Sequence, residues 1–172
     1  MKRAGQEARA HKRWRASRLS LGKALLAAIL ACGPLAAGAA GEPFRVAAAR
    51  DLAADAIVRQ APAEPVVILF SRNGCTWCEK LKQQHLRHLP REVMLREVRV
   101  DSNAPLLDFA GQATTHRRFA ASQQVKLAPT LAFFAPDGRQ LVEPIVGVRG
   151  PDYMDYFIDT ALATSRQRLA PQ

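Results

Sequence analysis

The sequence predicts an α/β fold in which a central mixed β-sheet of about four to five strands is flanked by helices. Three observations support this. An apolar run at residues 66–70 is followed by a polar turn and an amphipathic segment, the pattern of a strand that leads into a helix. Strand and helix patterns then alternate along the chain. Further on, Pro136-Asp137-Gly138 is typical of a hairpin turn, which adds antiparallel strands and makes the sheet mixed.

The segment at 66–89 contains the clearest signals. Five apolar residues at 66–70, with β-branched ones leading, fit a strand that is covered on both faces, and Asn73-Gly74 is turn chemistry that ends it. The next helix starts near two cysteines, Cys75 and Cys78, and stops before Pro90. Its predicted apolar face holds Leu81, Leu86 and Leu89. Its predicted polar face holds Glu79, Lys80, Lys82, Gln83 and Arg87.

The other elements follow from the same signals. Before the strand, residues 51–60 predict a helix capped by Asp51, residues 44–46 fit either an edge strand or a linker, and residues 61–65 form a proline-rich connector. After Pro90, the predicted elements are a strand at 93–100, helices at 104–110 and 115–123 separated at Gly111, strands at 131–134 and 140–146, and a helix at 151–166.

The net charge of +10 is concentrated near the N-terminus of the chain. Residues 1–40 contribute a net +7, and the remaining 132 residues contribute only +3. That larger part has no basic stripe interleaved with aromatic residues, which a nucleic-acid-binding surface would require. The sequence therefore predicts no nucleic-acid partner.

Residues 1–40 have the layout of a secretory signal. A basic part precedes a short apolar part and the small residues at 36–40. The apolar part is broken by a Gly-Pro pair and is shorter than the about 20 apolar residues of a stable membrane span. We therefore expect cleavage near Ala40 and a mature domain at 41–172. Retention as a membrane anchor, or lipidation at Cys32, is a less favoured alternative.

Two cysteines at the start of a helix are chemically distinctive. The first helical turn leaves backbone N–H groups without partners, and the helix dipole places about half a positive charge there. Both favour the thiolate, which is the attacking species in disulfide exchange, so we expect Cys75 to ionise more readily than a free cysteine. Cys78 follows three residues later, within reach of a disulfide to Cys75. So short a loop adds little stability, which favours redox chemistry over structural crosslinking.

Two other uses of the pair remain open, namely a metal site and an inert disulfide. Zinc takes four ligands, and His85 lies about 15 Å along the helix from Cys75 at about 1.5 Å per residue, so one ion cannot bind both. Two thiolates without further ligands can bind Cu(I). His85 and His88 are predicted to be ordinary helix residues, and His116 is predicted to lie on a solvated helix face beside two arginines.

The element order β-α-β-α-β-β-α, with the cysteine pair after the first central strand, resembles the thioredoxin superfamily. The resemblance covers about residues 44–166. It depends on four features in register: the Cys75-Thr76-Trp77-Cys78 unit after its strand, the strand that ends Val98-Arg99-Val100-Asp101, the Ala128-Pro129-Thr130 tripeptide, and the Pro136-Asp137-Gly138 hairpin followed by Gly147. Exported bacterial members that serve cytochrome maturation or sulfur oxidation are the most similar in kind.

The resemblance implies roles for these residues. Cys75 would be the attacking thiol and Cys78 the resolving thiol. Thr76 and Trp77 lie between the sulfurs and would tune the reduction potential, and Trp77 would also offer an apolar platform to an unfolded chain. The Ala128-Pro129-Thr130 tripeptide would bind substrate, because its proline matches the one that the family holds in the cis form and the backbone beside that proline pairs with substrate polypeptide.

One position departs from the family pattern. Many thioredoxins have a buried carboxylate six residues before the first cysteine as proton acceptor for the resolving thiol, and Leu69 occupies that position here. Glu97, on the adjacent predicted strand, lies where those proteins have a buried lysine and is a possible replacement. Its charged neighbours suggest a solvated face as the alternative: Glu92, Arg96 and Arg99.

Together these observations predict an enzyme, a thiol–disulfide oxidoreductase that acts on protein disulfides in the periplasm. We expect a reductase, because neither a helical insertion nor a separate dimerisation domain is evident. No cofactor and no metal are expected. The expected partners are cysteine-containing protein substrates and a redox partner protein, with the chain itself a monomer without a stable membrane span. The alternative is a non-catalytic binding module of the same fold or a Cu(I)-handling chaperone.

Overall fold

The computed structural model describes residues 42–58, 64–148 and 150–170. The predicted signal segment with Cys32, the end of the first predicted helix and most of the predicted connector lie outside these residues. Within them, four helices and six strands follow one another in an alternating order that is close to the predicted one.

The central sheet has four strands, and a second sheet has two. The strands are β1 (Val66–Ser71), β2 (Met94–Arg99), β3 (Pro105–Leu107), β4 (Ala113–Thr115), β5 (Thr130–Phe134) and β6 (Ile145–Val146). The helices are α1 (Leu52–Ile57), α2 (Thr76–Gln84), α3 (His116–Ser122) and α4 (Met154–Leu169). The central sheet has the order β2-β1-β5-β6, in which β1 and β2 are parallel and the other neighbours are antiparallel. The predicted α/β fold with a mixed sheet is therefore confirmed.

Strand β1 lies at the centre of both the sheet and the hydrophobic core. All six of its residues are buried, as its continuous apolar run predicts for a strand with both faces covered. Val67 and Leu69 belong to a cluster that includes residues of α2 and α4. Val66, Ile68 and Phe70 belong to a second cluster that includes residues of α1 and α3. Burial of each large apolar side chain contributes about 1.5–3 kcal/mol, so the position of β1, and of the turn after it, is strongly determined.

The helix predicted at 104–110 is wrong, because this segment contains strand β3. Strand β3 pairs antiparallel with β4 around a turn in which the Asp108 carboxylate accepts hydrogen bonds from two backbone N–H groups, both at 2.9 Å. The Leu107 N–H also donates to the Arg50 carbonyl, at 2.9 Å. The pairing with β4 and the bond to Arg50, which is distant in sequence, outweigh the local preference for a helix, as tertiary context commonly does.

Two predicted elements are shorter in the structure. Helix α2 ends at Gln84 rather than at Pro90, because His85 leaves the helical conformation and a short 3₁₀ turn follows. Strand β6 has two residues rather than the seven predicted at 140–146. Pro144 lies directly before β6 and has no N–H to donate to a neighbouring strand, which explains the late start of regular pairing.

The segment at 44–46 is not a strand, so the linker alternative is correct there. The chain joins the sheet edge slightly later, where the Ala49 N–H donates to the Glu97 carbonyl at 2.9 Å. The other three predicted helices are present. Helix α1 is capped by the Asp51 carboxylate, which accepts from the Ala54 N–H at 2.8 Å, as predicted.

Candidate active site

A short turn after β1 presents the cysteine pair. Gly74 has φ +65°, a left-handed conformation that glycine adopts without steric cost. The Asn73 N–H donates to the Asp101 carboxylate at 3.0 Å, and the Arg99 guanidinium donates to the Asn73 side-chain oxygen at 3.3 Å. The turn is thus held by residues at and just after the end of β2, and it places Cys75 directly before the first residue of α2.

Cys75 is the N-cap residue of α2, and its sulfur accepts the Cys78 N–H at 3.1 Å. Cys75 and Cys78 form a disulfide, with their Cα atoms 5.2 Å apart. Cys75 is partly exposed, whereas Cys78 has an exposed fraction of 0%. Only the first sulfur can therefore be reached by another molecule, while the second is positioned to react with the first.

The two residues between the cysteines face solvent. Thr76 and Trp77 are both exposed, and Trp77 keeps 56% of its surface accessible. The Lys80 ammonium lies 4.6 Å from the centre of the Trp77 ring, within the range of a cation–π contact. The exposed indole is therefore flanked by a positive charge beside the cysteine pair.

The Ala128-Pro129-Thr130 tripeptide lies at the same end of the sheet as the cysteine turn. The Ala128–Pro129 peptide bond is cis. Thr130 begins β5 and pairs with Phe70, close to the end of β1. The Pro129 carbonyl accepts from the Gly147 N–H at 2.8 Å, and the Thr130 hydroxyl donates to the Leu127 carbonyl at 2.8 Å.

Glu97 belongs to a polar network rather than to a solvated face, so the solvated alternative is wrong. Its side chain is 15% exposed and receives hydrogen bonds from the Ser71 hydroxyl at 2.7 Å and the Lys82 ammonium at 2.6 Å. Lys82 also contacts Glu79, at 2.9 Å. Glu97 is the register partner of Leu69, so it lies on the strand beside the position of the missing carboxylate.

Lys82 was not distinguished from its neighbours by the sequence, and its placement on the polar helix face is wrong. It is 7% exposed. Burial lowers the pKa of Lys82. Hydrogen bonds to Glu97 and Glu79 and the charges of both carboxylates raise it by more than burial lowers it, so the pKa of Lys82 is above its ordinary value. The attraction of the two carboxylates offsets the free-energy cost of burying the Lys82 ammonium. A cleft of about 330 Å³, lined by residues 43–46 and these three charged side chains, borders the network.

Two histidines, His85 and His116, are buried, and for His116 this is contrary to its predicted placement on a solvated helix face. His116 is 2% exposed; its Nδ1 accepts from the Arg99 N–H at 3.0 Å, and its Nε2 lies 2.8 Å from the Ala49 carbonyl. Burial lowers the pKa of His116, opposed only in part by the bond to the Ala49 carbonyl. His85 packs under α4, with Nδ1 2.8 Å from the Asp155 carboxylate. Neither histidine forms a hydrogen bond with the cysteine pair of the described residues.

Among the residues that the structure describes, no three His, Cys, Asp or Glu side chains converge as they would around a metal ion. The helices in those same ranges are all too short or too polar to cross a membrane.

The sequence matches the model of a thioredoxin-like domain over residues 52–162, which is more than half of the chain. The chain belongs to the thioredoxin-like domain family. This match includes the cysteine pair, the polar network of Glu97 and Lys82, and the cis-proline loop, by which we mean the Ala128-Pro129-Thr130 tripeptide. No curated protein matches the sequence.

Several solved structures are similar to this thioredoxin-like chain. One is a DsbH oxidoreductase, with 19% identity, a TM-score of 0.49, and 70% of this chain and 88% of that chain covered. Another is a mutant thioredoxin from Halobacterium salinarum NRC-1, with 22% identity, a TM-score of 0.48, and coverage of 71% and 95%. A third is the reduced periplasmic thioredoxin SoxS from Paracoccus pantotrophus, with 16% identity, a TM-score of 0.44, and coverage of 59% and 99%. Similarity at this level says nothing about activity.

The family and the Cys75–Cys78 disulfide together support thiol–disulfide oxidoreductase activity in general terms. The disulfide shows that the two sulfurs can join within the folded chain.

Proposed function

We propose that the protein is a periplasmic thiol–disulfide oxidoreductase that reduces protein disulfides, with Cys75 as nucleophile and Cys78 as resolving thiol. The observation that carries the proposal is the asymmetry of the pair at the start of α2. Cys75 is partly exposed at the N-cap position, and Cys78 is fully buried behind it. Disulfide exchange with a substrate therefore takes place at the Cys75 sulfur, both when the mixed disulfide forms and when it is broken.

The first step uses the Cys75 thiolate, which attacks one sulfur of a substrate disulfide. A bond between Cys75 and the substrate forms, the substrate S–S bond breaks, and the leaving thiolate takes a proton from water. The positive end of the α2 dipole and the backbone N–H groups of its first turn stabilise the attacking thiolate. The Cys78 N–H already donates to the Cys75 sulfur, at 3.1 Å.

In the second step, Cys78 loses its thiol proton and its sulfur attacks Cys75. The Cys75–Cys78 bond forms, the mixed disulfide breaks, and the second substrate sulfur leaves as a thiolate that is then protonated. Two electrons have passed to the substrate. The protein is left as the disulfide seen in the structure, and a dithiol partner protein must reduce it again by the same steps in reverse.

For the second step we assign Glu97 as the proton acceptor. No carboxylate is available at Leu69, whereas Glu97 lies on the adjacent strand at the same level. Lys82 lies one helical turn after Cys78 and bonds Glu97 at 2.6 Å, so the carboxylate lies on the α2 side of the sheet. The bordering cleft of about 330 Å³ gives water access to Glu97, through which the proton can leave.

The cis-proline loop is the proposed substrate-binding segment. The backbone of Ala128-Pro129-Thr130 lies at the sheet end that carries the cysteine turn. An extended substrate can add to such a segment as a further strand. The exposed Trp77, which lies between the two cysteines in the chain, supplies further apolar contact area.

A reductase is favoured over an oxidase by the connection between β2 and β5. In the part of the chain that the structure describes, this connection holds a two-stranded sheet and one seven-residue helix, α3, rather than a helical domain. The predicted signal at residues 1–40 supports the proposed periplasmic location.

Insulin reduction by a dithiol tests the proposal. Wild type should accelerate it, Cys75→Ser should not, and Cys78→Ser should instead accumulate mixed disulfides at Cys75. Stoichiometric Cu(I) binding by wild type, with turnover no faster than that of Cys75→Ser, would contradict an enzymatic role. Fractionation of cells that express the chain tests the location, since recovery only from the cytoplasm would contradict export.

A further inference from the structure

We propose that the surface around Cys75 selects acidic polypeptide segments, so that the preferred substrate disulfide lies in a stretch rich in Asp and Glu. This inference deepens the proposed function and rests on it. We call this surface the redox face. It consists of residues 72–80, residues 99–101, Arg117 and residues 124–130.

The redox face has an excess of positive charge. Its five cationic side chains are all exposed: Arg72, Lys80, Arg99, Arg117 and Lys126. Its carboxylates are Glu79 and Asp101, and both are already engaged, Glu79 by the Lys82 ammonium at 2.9 Å and Asp101 by the Asn73 N–H at 3.0 Å. No ion pair joins any of the five cations to a carboxylate of the described residues.

Specific contacts hold three of these cations close to the cysteine turn. The Lys80 ammonium lies 4.6 Å from the Trp77 ring centre. The Arg99 guanidinium donates to the Asn73 side chain at 3.3 Å, and that of Arg117 donates to the Asp101 carbonyl at 2.9 Å. Their charges therefore lie around the segment that carries Cys75, rather than being spread over the whole domain.

The loop that precedes the cis-proline combines charge with apolar surface. A cavity of about 280 Å³ is lined by residues 123–127 together with Thr130, Pro144 and Val146, next to the cis-proline. Leu127 is 64% exposed in this loop, and Lys126 precedes it. A partner that fits must place apolar side chains in this cavity and near Trp77, and must carry negative charge that complements the cations around them.

An acidic polypeptide meets both requirements, because one chain can supply an extended backbone, apolar side chains and carboxylates. Positive charge around a reactive group raises the local concentration of a negatively charged partner and speeds its encounter. Since the cations are exposed, salt should screen the effect over about 8–10 Å at moderate ionic strength. A basic polypeptide should be disfavoured by the same charges.

The experiment compares three peptides that share one disulfide-bonded core and differ only in acidic, neutral or basic flanking residues. The reduced 172-residue chain is mixed with each peptide, and the second-order rate constant of reduction is measured at low and high salt. At low salt we expect the acidic peptide to react roughly tenfold faster than the basic one, with the difference shrinking at high salt.

The test variant is Lys80→Gln with Lys126→Gln, and the matched control is Arg87→Gln with Arg139→Gln. Both remove two exposed positive charges, but Arg87 follows the far end of α2 and Arg139 follows the hairpin turn at the far end of β5. The test variant should lose most of the preference for the acidic peptide, and the control should keep it.

Equal rates for all three peptides, with the neutral peptide reduced normally, would overturn this inference and leave the proposed function intact. Equal losses in the test and control variants would also overturn it, because net charge rather than the redox face would then be responsible. If even the neutral peptide is not reduced, the proposed function fails, and this inference fails with it.

Discussion

Lys82 and Glu97 form an ion pair of 2.6 Å that joins the helix of the cysteine pair to the neighbouring strand β2. The Ser71 hydroxyl, at the end of β1, donates to the same carboxylate at 2.7 Å. The network thus connects α2, the helix that contains the buried Cys78, to strands β1 and β2. The carboxylate comes from β2 and the cation from α2, which leaves Leu69 of β1 free to pack in the core.

Glu97→Gln should slow resolution of the mixed disulfide, because the amide cannot accept the Cys78 proton. We expect a loss of about 10²-fold near neutral pH, the lower end of general acid–base contributions. Stopped-flow detection of the mixed-disulfide decay across a pH series measures it directly. The loss should shrink at alkaline pH, where hydroxide can remove the proton.

The control for this variant is Glu92→Gln, which removes an exposed carboxylate just before β2. Decay that is equally fast in wild type, Glu97→Gln and Glu92→Gln at every pH would exclude Glu97 as the proton acceptor.

Lys82→Met should destabilise the protein by about 2 kcal/mol at pH 7, the order of a hydrogen bond to a charged group. The variant leaves Glu97 half-buried without its cation. Because the folded pKa of Lys82 is raised above 10.5, its stabilising effect is fully present below that pH and is lost as the pH rises through the folded value. Urea unfolding at pH 7 and near pH 11 should show the difference between wild type and variant shrinking. A difference that grows at high pH would contradict the ion pair.

Acid should destabilise the fold through His116. Its folded pKa lies below the ordinary 6.5 because the neutral ring is buried. The stability from the neutral ring is present above pH 6.5 and is lost as the pH falls from there through the folded pKa. In His116→Gln, which cannot titrate, the fall in unfolding free energy between pH 7.5 and pH 5 should be smaller than in wild type.

The exposed His88 provides the comparison for His116. His88→Gln should keep the wild-type dependence on pH. The same dependence in all three proteins would show that the buried ring is not responsible.

Gly138→Ala should destabilise more than Gly111→Ala. Both glycines have positive φ, +84° and +73°, so both substitutions are strained, by about 1–3 kcal/mol. Only at Gly138 would the new Cβ lie 2.8 Å from a neighbouring atom, the Cβ of Phe109. Thermal unfolding of both variants measures the difference, and equal losses would show that the contact with Phe109 relaxes without cost.

Much of the fold follows from local sequence signals. The apolar run at 66–70, the turn at Asn73-Gly74 and the cap at Asp51 each act over a few residues, and each is found where it is predicted. The exception at 104–110 has a physical cause. Strand β3 is held by backbone bonds to β4 and to Arg50, which is distant in sequence, so local preference does not decide its conformation.

For the candidate site, the cysteine pair, its position at the start of a helix and the proline loop that precedes β5 could all be predicted from the sequence, because each is a short pattern with its own chemistry. Which polar side chains are buried depends on the folded arrangement of the chain. Ser71, Lys82 and His116 look like ordinary polar residues in the sequence, and their burial depends on partners that lie 15 or more residues away: Glu97 for Ser71, and Arg99 and Ala49 for His116. Lys82 likewise depends on Glu97 of the neighbouring strand. A buried polar group is stable only when such partners are in place, and their proximity is a property of the folded chain rather than of any local segment.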